Sequence, residues 1–159
     1  MLYGSKKEFS DIDVFLISDS LPEIYSWLDI RVYKKEDFEK KLRLFDIAVT
    51  NPIMTGIFLF GDLNYFEKAK QRFLYQPITE EAIRYNLKER ENQKNLANYY
   101  PENSEERKLG LSYYTTYLAT SLALKNRKRI FDKKELISYL QKQAPVEGEK
   151  PPQMKGGKI

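Results

Sequence analysis

The segment from Asp11 to Ile17, Asp-Ile-Asp-Val-Phe-Leu-Ile, limits what this chain can fold into more than any other stretch. It is short, rich in β-branched residues and nearly all apolar after its first residues. Such a run reads as a strand buried on both faces, inside a sheet. A buried strand needs neighbours, and the first sixty residues offer them. Trp27 to Tyr33 alternates, with Leu28, Ile30 and Val32 on one face, which predicts a half-buried strand nearer an edge. Leu2-Tyr3 has the look of a strand stub. Gly56 to Phe60 reads as a further short apolar strand, ended by Gly61-Asp62. Between these, Glu36 to Phe45 has Phe38, Leu42 and Phe45 on one side of a helix.

Beyond Asp62 the pattern becomes helical. Asp62 is placed to cap a helix over Leu63 to Leu74, which Pro77 ends. Thr79-Glu80-Glu81 opens a helix to about Tyr99, and Ser104-Glu105-Glu106 opens another with Leu111, Tyr114, Leu118 and Leu122 at helical spacing. Asp132 and Glu135 form a capping box for a last helix that ends near Gln143. The tail from Ala144, with Pro145, Pro151, Pro152, Gly156, Gly157 and scattered Lys, has little to bury and reads as disordered. The expected fold class is therefore α+β. A small mixed β-sheet core spans residues 1–62, a C-terminal helical bundle spans 63–143, and a tail spans 144–159.

Composition narrows the chemistry. The 159 residues contain no Cys and no His. Thiolate nucleophiles, disulfides, Ser-His-Asp triads and His- or Cys-based metal sites are thereby excluded. Carboxylates, lysines, tyrosines, hydroxyls or a bound ion must do any chemistry, and a bound ion should be hard and oxygen-ligated, with magnesium or manganese favoured. The balance of 27 Lys and Arg against 23 Asp and Glu suits phosphate-bearing ligands without requiring them. A mean hydropathy of −0.62 argues against a membrane protein. The start, Met1-Leu2-Tyr3-Gly4-Ser5, lacks a signal-peptide layout, so a cytoplasmic location is expected.

The candidate site lies in Gly4-Ser5, Ser10-Asp11-Ile12-Asp13 and Asp29. Asp11 and Asp13 are two apart on a strand, so both project from one face. Two carboxylates this close repel unless a proton or cation sits between them. Asp29 interrupts Leu28 and Ile30, where an unpaired charge is costly. If its strand lies beside the first, three carboxylates converge as a divalent-ion site. Gly4-Ser5 follows the strand stub, where glycine lets a phosphate approach and the hydroxyl and amides can donate to it. Lys6 and Lys7 come next and can pair with a polyphosphate. A phosphate cradle beside a carboxylate metal site suggests phosphoryl or nucleotidyl transfer.

Taken in order, Leu2-Tyr3-Gly4-Ser5, Ser10-Asp11-Ile12-Asp13 and Leu28-Asp29-Ile30 resemble the nucleotidyltransferase superfamily of the DNA polymerase β type, especially its minimal and aminoglycoside-modifying members. Leu59-Phe60-Gly61-Asp62 resembles the apolar-Gly-Asp segment that often closes that catalytic domain. The resemblance implies that Asp11, Asp13 and Asp29 are catalytic and hold Mg2+ or Mn2+, and that Gly4, Ser5, Lys6 and Ser10 bind the nucleotide. It implies transfer of a nucleoside monophosphate from a triphosphate to a hydroxyl acceptor (a small molecule, a protein or an RNA end), with release of pyrophosphate. Family members usually carry a helix before the first strand, whereas this chain starts at the strand. The sheet is then expected to need cover from a homo-oligomer, the helical half or a helical partner protein. The loop from Gly4 to Asp11 is also shorter than is usual in the family.

The helical half admits plainer readings. Tyr85, Tyr99, Tyr100, Tyr113, Tyr114, Tyr117 and Tyr139 are expected mostly to pack, with a base- or acceptor-binding cleft as the sharper reading. Lys125-Asn126-Arg127-Lys128-Arg129 can complement a helix C-terminus or bind RNA. Two other functions therefore stand beside the enzyme: a catalytically inactive module of the same fold that binds or regulates, and an RNA-binding protein.

Overall fold

The computed structural model describes residues 2–3, 13–20 and 29–143, with the side chains of residues 2, 3 and 29 outside the description. The chain is mainly helical with a small mixed sheet. Its elements are β1 (Leu2–Tyr3), β2 (Asp13–Ile17), β3 (Asp29–Tyr33), α1 (Lys35–Arg43), α2 (Ile47–Thr55), α3 (Leu63–Tyr75), α4 (Glu80–Asn98), α5 (Glu105–Lys125) and α6 (Lys133–Gln143). Among the described residues no helix is long and apolar enough to cross a membrane.

The sheet runs in the order β1-β2-β3. β1 lies antiparallel to β2, with Leu2 opposite Val14 and Tyr3 opposite Asp13. β2 and β3 are parallel, pairing Asp13 with Asp29, Phe15 with Arg31 and Ile17 with Tyr33. Register partners share a face of a pleated sheet. On one face Phe15 is buried, stacks on Tyr33 at 5.1 Å and meets the edge of Phe38 from α1 at 6.1 Å. On the other, Val14, Leu16, Ile30 and Val32 are each partly exposed. The expectation that β2 is buried on both faces therefore holds only at Phe15.

The N-terminus of α1 draws on Asp19, whose Oδ1 accepts from the Lys35 amide at 3.3 Å. Its C-terminus turns sharply. Phe45, with φ 56°, donates its N–H to the Leu42 carbonyl, and the Asp46 amide donates to that of Lys41. This is a Schellman closure with a buried aromatic where glycine is usual. The helix α2 was not apparent from the sequence, which suggested a strand over 56–60 instead. Only Ile57 makes a bridge there, and Ile57, Leu59 and Phe60 are exposed. Ile47, Val49, Thr50, Pro52 and Ile53 are all buried, so α2 is apolar nearly all round and shows no amphipathic stripe. Pro52 inside it further masks the helix.

The chain divides into two compact units between Asn86 and Leu87, inside α4. In the first, α3 packs on α1 and α2. Phe73 meets Phe45 at 5.6 Å, the Gln76 amide donates to the Leu42 carbonyl at 2.8 Å, and Glu39 accepts from Tyr65 at 2.6 Å while pairing with Arg72. Asp62 caps α3 through the Tyr65 amide, as its position predicted.

In the second unit, Ser104 and Asp132 cap α5 and α6 as expected, accepting from the Arg107 and Glu135 amides. The buried side of α5 differs from the predicted stripe. Leu111, Tyr114, Leu118 and Leu122 are only partly buried, while Gly110, Thr115, Thr116, Ala119, Thr120, Ser121 and Ala123 are buried. Their hydroxyls can be buried because they bond back along the helix. Thr115, Thr116 and Thr120 donate to the carbonyls of Leu111, Ser112 and Thr116 at 2.8–2.9 Å. Small residues also let backbones approach. A Cβ on Gly110 would lie 2.9 Å from that of Ala97 in α4.

Candidate active site

The first residue of β2 and the first of β3 are both aspartates, and the parallel register sets them side by side. Because β1 runs the opposite way, its last residue completes the row. Tyr3, Asp13 and Asp29 therefore cross one end of the sheet on neighbouring strands. Adjacent strands stand about 4.8 Å apart. Asp13 is partly exposed. The row sits at the end of the sheet where β1 leaves toward Gly4-Ser5 and where Ser10-Asp11-Ile12 enters β2.

Of the residues singled out from sequence, Asp13 and Asp29 are thus brought together by the backbone. Gly4, Ser5, Lys6, Ser10 and Asp11 lie outside the described residues, as do Leu28 and the tail 144–159. Among the described residues no group of three or more acidic side chains is close enough to hold a metal ion. With Asp11 outside the description, the sheet end contributes two acid positions. The donor set is all oxygen, which is the chemistry a magnesium-type ion takes.

Two polar clusters in the first unit escaped the sequence reading. One closes the α1–α2 corner. Asp46 is fully buried and caps α2 by accepting from the Ala48 amide at 3.0 Å. Its other oxygen accepts from Lys41 Nζ and from the Tyr85 hydroxyl, each at 2.6 Å, and Lys41 donates to Tyr85 at 3.0 Å. Burial would lower the Lys41 pKa, but the charge and hydrogen bond of Asp46 outweigh it and hold it above its ordinary value. Burial, then the charge of Asp46, raises the Tyr85 phenol. Beside them the buried Asn86 donates to the Leu44 and Ala82 carbonyls, both at 2.9 Å. Lys41 and Tyr85 are 44 residues apart, so no local motif announces this triad.

The other cluster lines a cleft of about 890 Å³ between α1 and α3, with Asp19, Lys35, Glu39, Lys40, Arg43 and Arg72 on its walls. It lies beyond the far end of β2 from Asp13. Burial, then the charge of Asp19, pushes the Tyr65 phenol up. Within the cleft Glu39 accepts from Tyr65 and pairs with Arg72, and Lys35 stands 5.0 Å over the Tyr65 ring. The tyrosines of the second unit mostly pack, Tyr117 and Tyr139 being buried, although Tyr99 is 85 % exposed.

Compared with family models, with curated proteins and with solved structures, the chain gives no match.

Proposed function

We propose that this chain is a metal-dependent nucleotidyltransferase that moves a nucleoside monophosphate from a triphosphate to a hydroxyl acceptor. The observation that carries the reading is the Tyr3–Asp13–Asp29 row. A sequence pattern of Gly-Ser, Asp-x-Asp and a later Asp makes chemical sense only if its parts meet. Two of those parts support the reading: Asp13 and Asp29 are register partners, and Tyr3, the residue before Gly4-Ser5 in the sequence, pairs with Asp13.

In the proposed reaction Asp11, Asp13 and Asp29 would hold Mg2+ or Mn2+, which neutralises charge on the triphosphate and on the attacking oxygen. Gly4, Ser5, Lys6 and Ser10 would position the phosphates through amides, a hydroxyl and a cation. The acceptor oxygen forms a bond to the α-phosphorus, the α–β bridging P–O bond breaks, and pyrophosphate departs. One of the three aspartates, free of metal on one oxygen, takes the acceptor proton. Asp13 and Asp29 begin β2 and β3, and mounting them on strands fixes their spacing, which loops would not.

The test is thermal melting and calorimetric titration of the whole chain with Mg2+ and each nucleoside triphosphate, followed by transfer assays with labelled nucleotide. A ligand that binds only the folded state at 100 times its Kd stabilises by about 2.7 kcal/mol, a clear rise in Tm. That rise should need metal and nucleotide together and should vanish in Asp13→Asn and Asp29→Asn, whose circular dichroism stays native. Binding without transfer in any acceptor assay would make the chain an inactive module of the same fold. No response to any metal–nucleotide pair would overturn the reading.

A further inference from the structure

The turn between α5 and α6 concentrates positive charge that local stability does not ask for. Residues 125–142 hold seven Lys and Arg against two acids, Asp132 and Glu135, a local excess greater than the +4 of the whole chain. Lys125 at the end of α5 complements the helix dipole. Lys133 and Lys134 do the opposite, occupying the first turn of α6, where cations cost about 0.3–1 kcal/mol each. Arg127 stands at φ 57° in the Schellman closure of α5, its amide donating to the Leu124 carbonyl and that of Lys128 to the Ala123 carbonyl. Glycine would sit there without strain. Lys133 is partly compensated, standing 5.3 Å over the Tyr113 ring, which leaves Lys134 as the cation that opposes the dipole and Arg127 as the side chain in a backbone conformation that favours glycine.

These cations surround a shallow cavity of about 380 Å³, lined by Lys128, Arg129, Glu135, Ser138, Tyr139 and Lys142. Its floor is rigid. Tyr139 is buried, accepts from the Asn126 amide at 2.8 Å and lies 4.9 Å beneath the Lys128 ammonium. Along α6, Lys134, Ser138 and Lys142 follow one another at i,i+4 and are all exposed, a row of roughly 12 Å at 1.5 Å per residue. That is longer than one phosphate group and suits successive phosphates of a strand. Glu135 would repel a bare phosphate, but it can accept from a hydroxyl beside one, as on ribose.

We infer that the α5–α6 turn binds the sugar–phosphate backbone of a single-stranded RNA, its phosphates on Lys128, Arg129, Lys134 and Lys142 and a 2′-hydroxyl at Glu135. This surface stands independently of the proposed nucleotidyl transfer. The test is fluorescence anisotropy of the whole chain with a labelled single-stranded RNA, the same sequence in DNA, and anionic phospholipid vesicles, each across about 50–200 mM salt. RNA should bind more tightly than DNA, with affinity falling steeply as salt rises. The triple variant Lys128→Gln/Lys134→Gln/Lys142→Gln should bind at least about tenfold more weakly, with a salt slope reduced by about 2. Its Tm should change only slightly, since the relief at Lys134 in the first turn of α6 offsets the loss of Lys142 in its last turn and of Lys128 over Tyr139. Lys68→Gln/Lys88→Gln/Lys94→Gln removes as much charge elsewhere and should leave binding near that of the parent. Absence of RNA binding, equal loss in both triple variants, DNA bound as well as RNA, or binding to vesicles alone would overturn the proposal.

Discussion

The same turn closes α1 and α5, and the two units use it in opposite ways. At each helix end a non-glycine residue takes a left-handed conformation, Phe45 in one and Arg127 in the other, with matching backbone hydrogen bonds. After Phe45 comes Asp46, fully buried and answered by Lys41 and Tyr85. After Arg127 comes Lys128, exposed. In the first unit side chains turned inward compensate the strained backbone: an aromatic in the core and a carboxylate with its donors. In the second, side chains turned outward bring it no comparable burial. Charge at the first corner is buried and fastens the fold, and charge at the second stands at the surface.

Substituting the two corners tests this contrast. Asp46→Ala should cost about 3 kcal/mol in urea denaturation, because it removes the α2 cap and leaves the half-buried Tyr85 hydroxyl and Lys41 without their shared acceptor. Lys128→Ala should stay within about 0.5 kcal/mol. Equal costs would dissolve the distinction. Glycine at the strained positions should separate the corners by sign. Phe45→Gly should lose about 3 kcal/mol, since vacating an aromatic core site outweighs the relief of strain. Arg127→Gly should gain about 1 kcal/mol. A smaller effect tests how the second unit packs. Gly110→Ala should cost about 1–2 kcal/mol, because its methyl would press on Ala97 and that overlap exceeds the better helix propensity of alanine.

The smallest effect concerns pH. Lys41 and Tyr85 both have folded pKa values above their ordinary 10.5 and 10.0. A group whose folded pKa is raised contributes stability that is complete below its unfolded pKa and is lost as pH rises above it. The corner should therefore hold its full strength to about pH 9.5 and weaken above pH 10. Tm measured from pH 8 to 11 should fall above pH 10 in the parent and less steeply in Tyr85→Phe. A parent Tm flat to pH 11 would mean that the triad contributes little.

Local signals carried much of the architecture. Asp62, Thr79, Ser104 and Asp132 each accept from an amide three residues on, because a cap is a contact within one turn. The apolar run ending at Ile17 and the alternation through Tyr33 marked the two longer strands for the same reason: side-chain period is local. What failed was also consistent. α2 is surrounded by protein, so its sequence has no polar face to reveal its period. The buried side of α5 is mostly Thr, Ser, Ala and Gly, with Tyr117 and Leu124 the large apolar residues on it, so hydrophobicity marks only part of that side. The acids at residues 13 and 29 were visible as chemistry, but pairing them needed a register that no single strand contains.

By itself, then, the sequence determined where α3 to α6 begin, where the two longer strands run, that no histidine or cysteine chemistry is possible, and where positive charge gathers. Each follows from neighbours along the chain. Only the tertiary structure decided that Asp13 and Asp29 share a row, that Lys41, Asp46 and Tyr85 form one buried cluster, and that the first unit extends to Asn86. Those facts join residues 16 to 44 positions apart. Such contacts form when distant surfaces are buried together, and the free energy of that burial belongs to the pair of surfaces rather than to either segment.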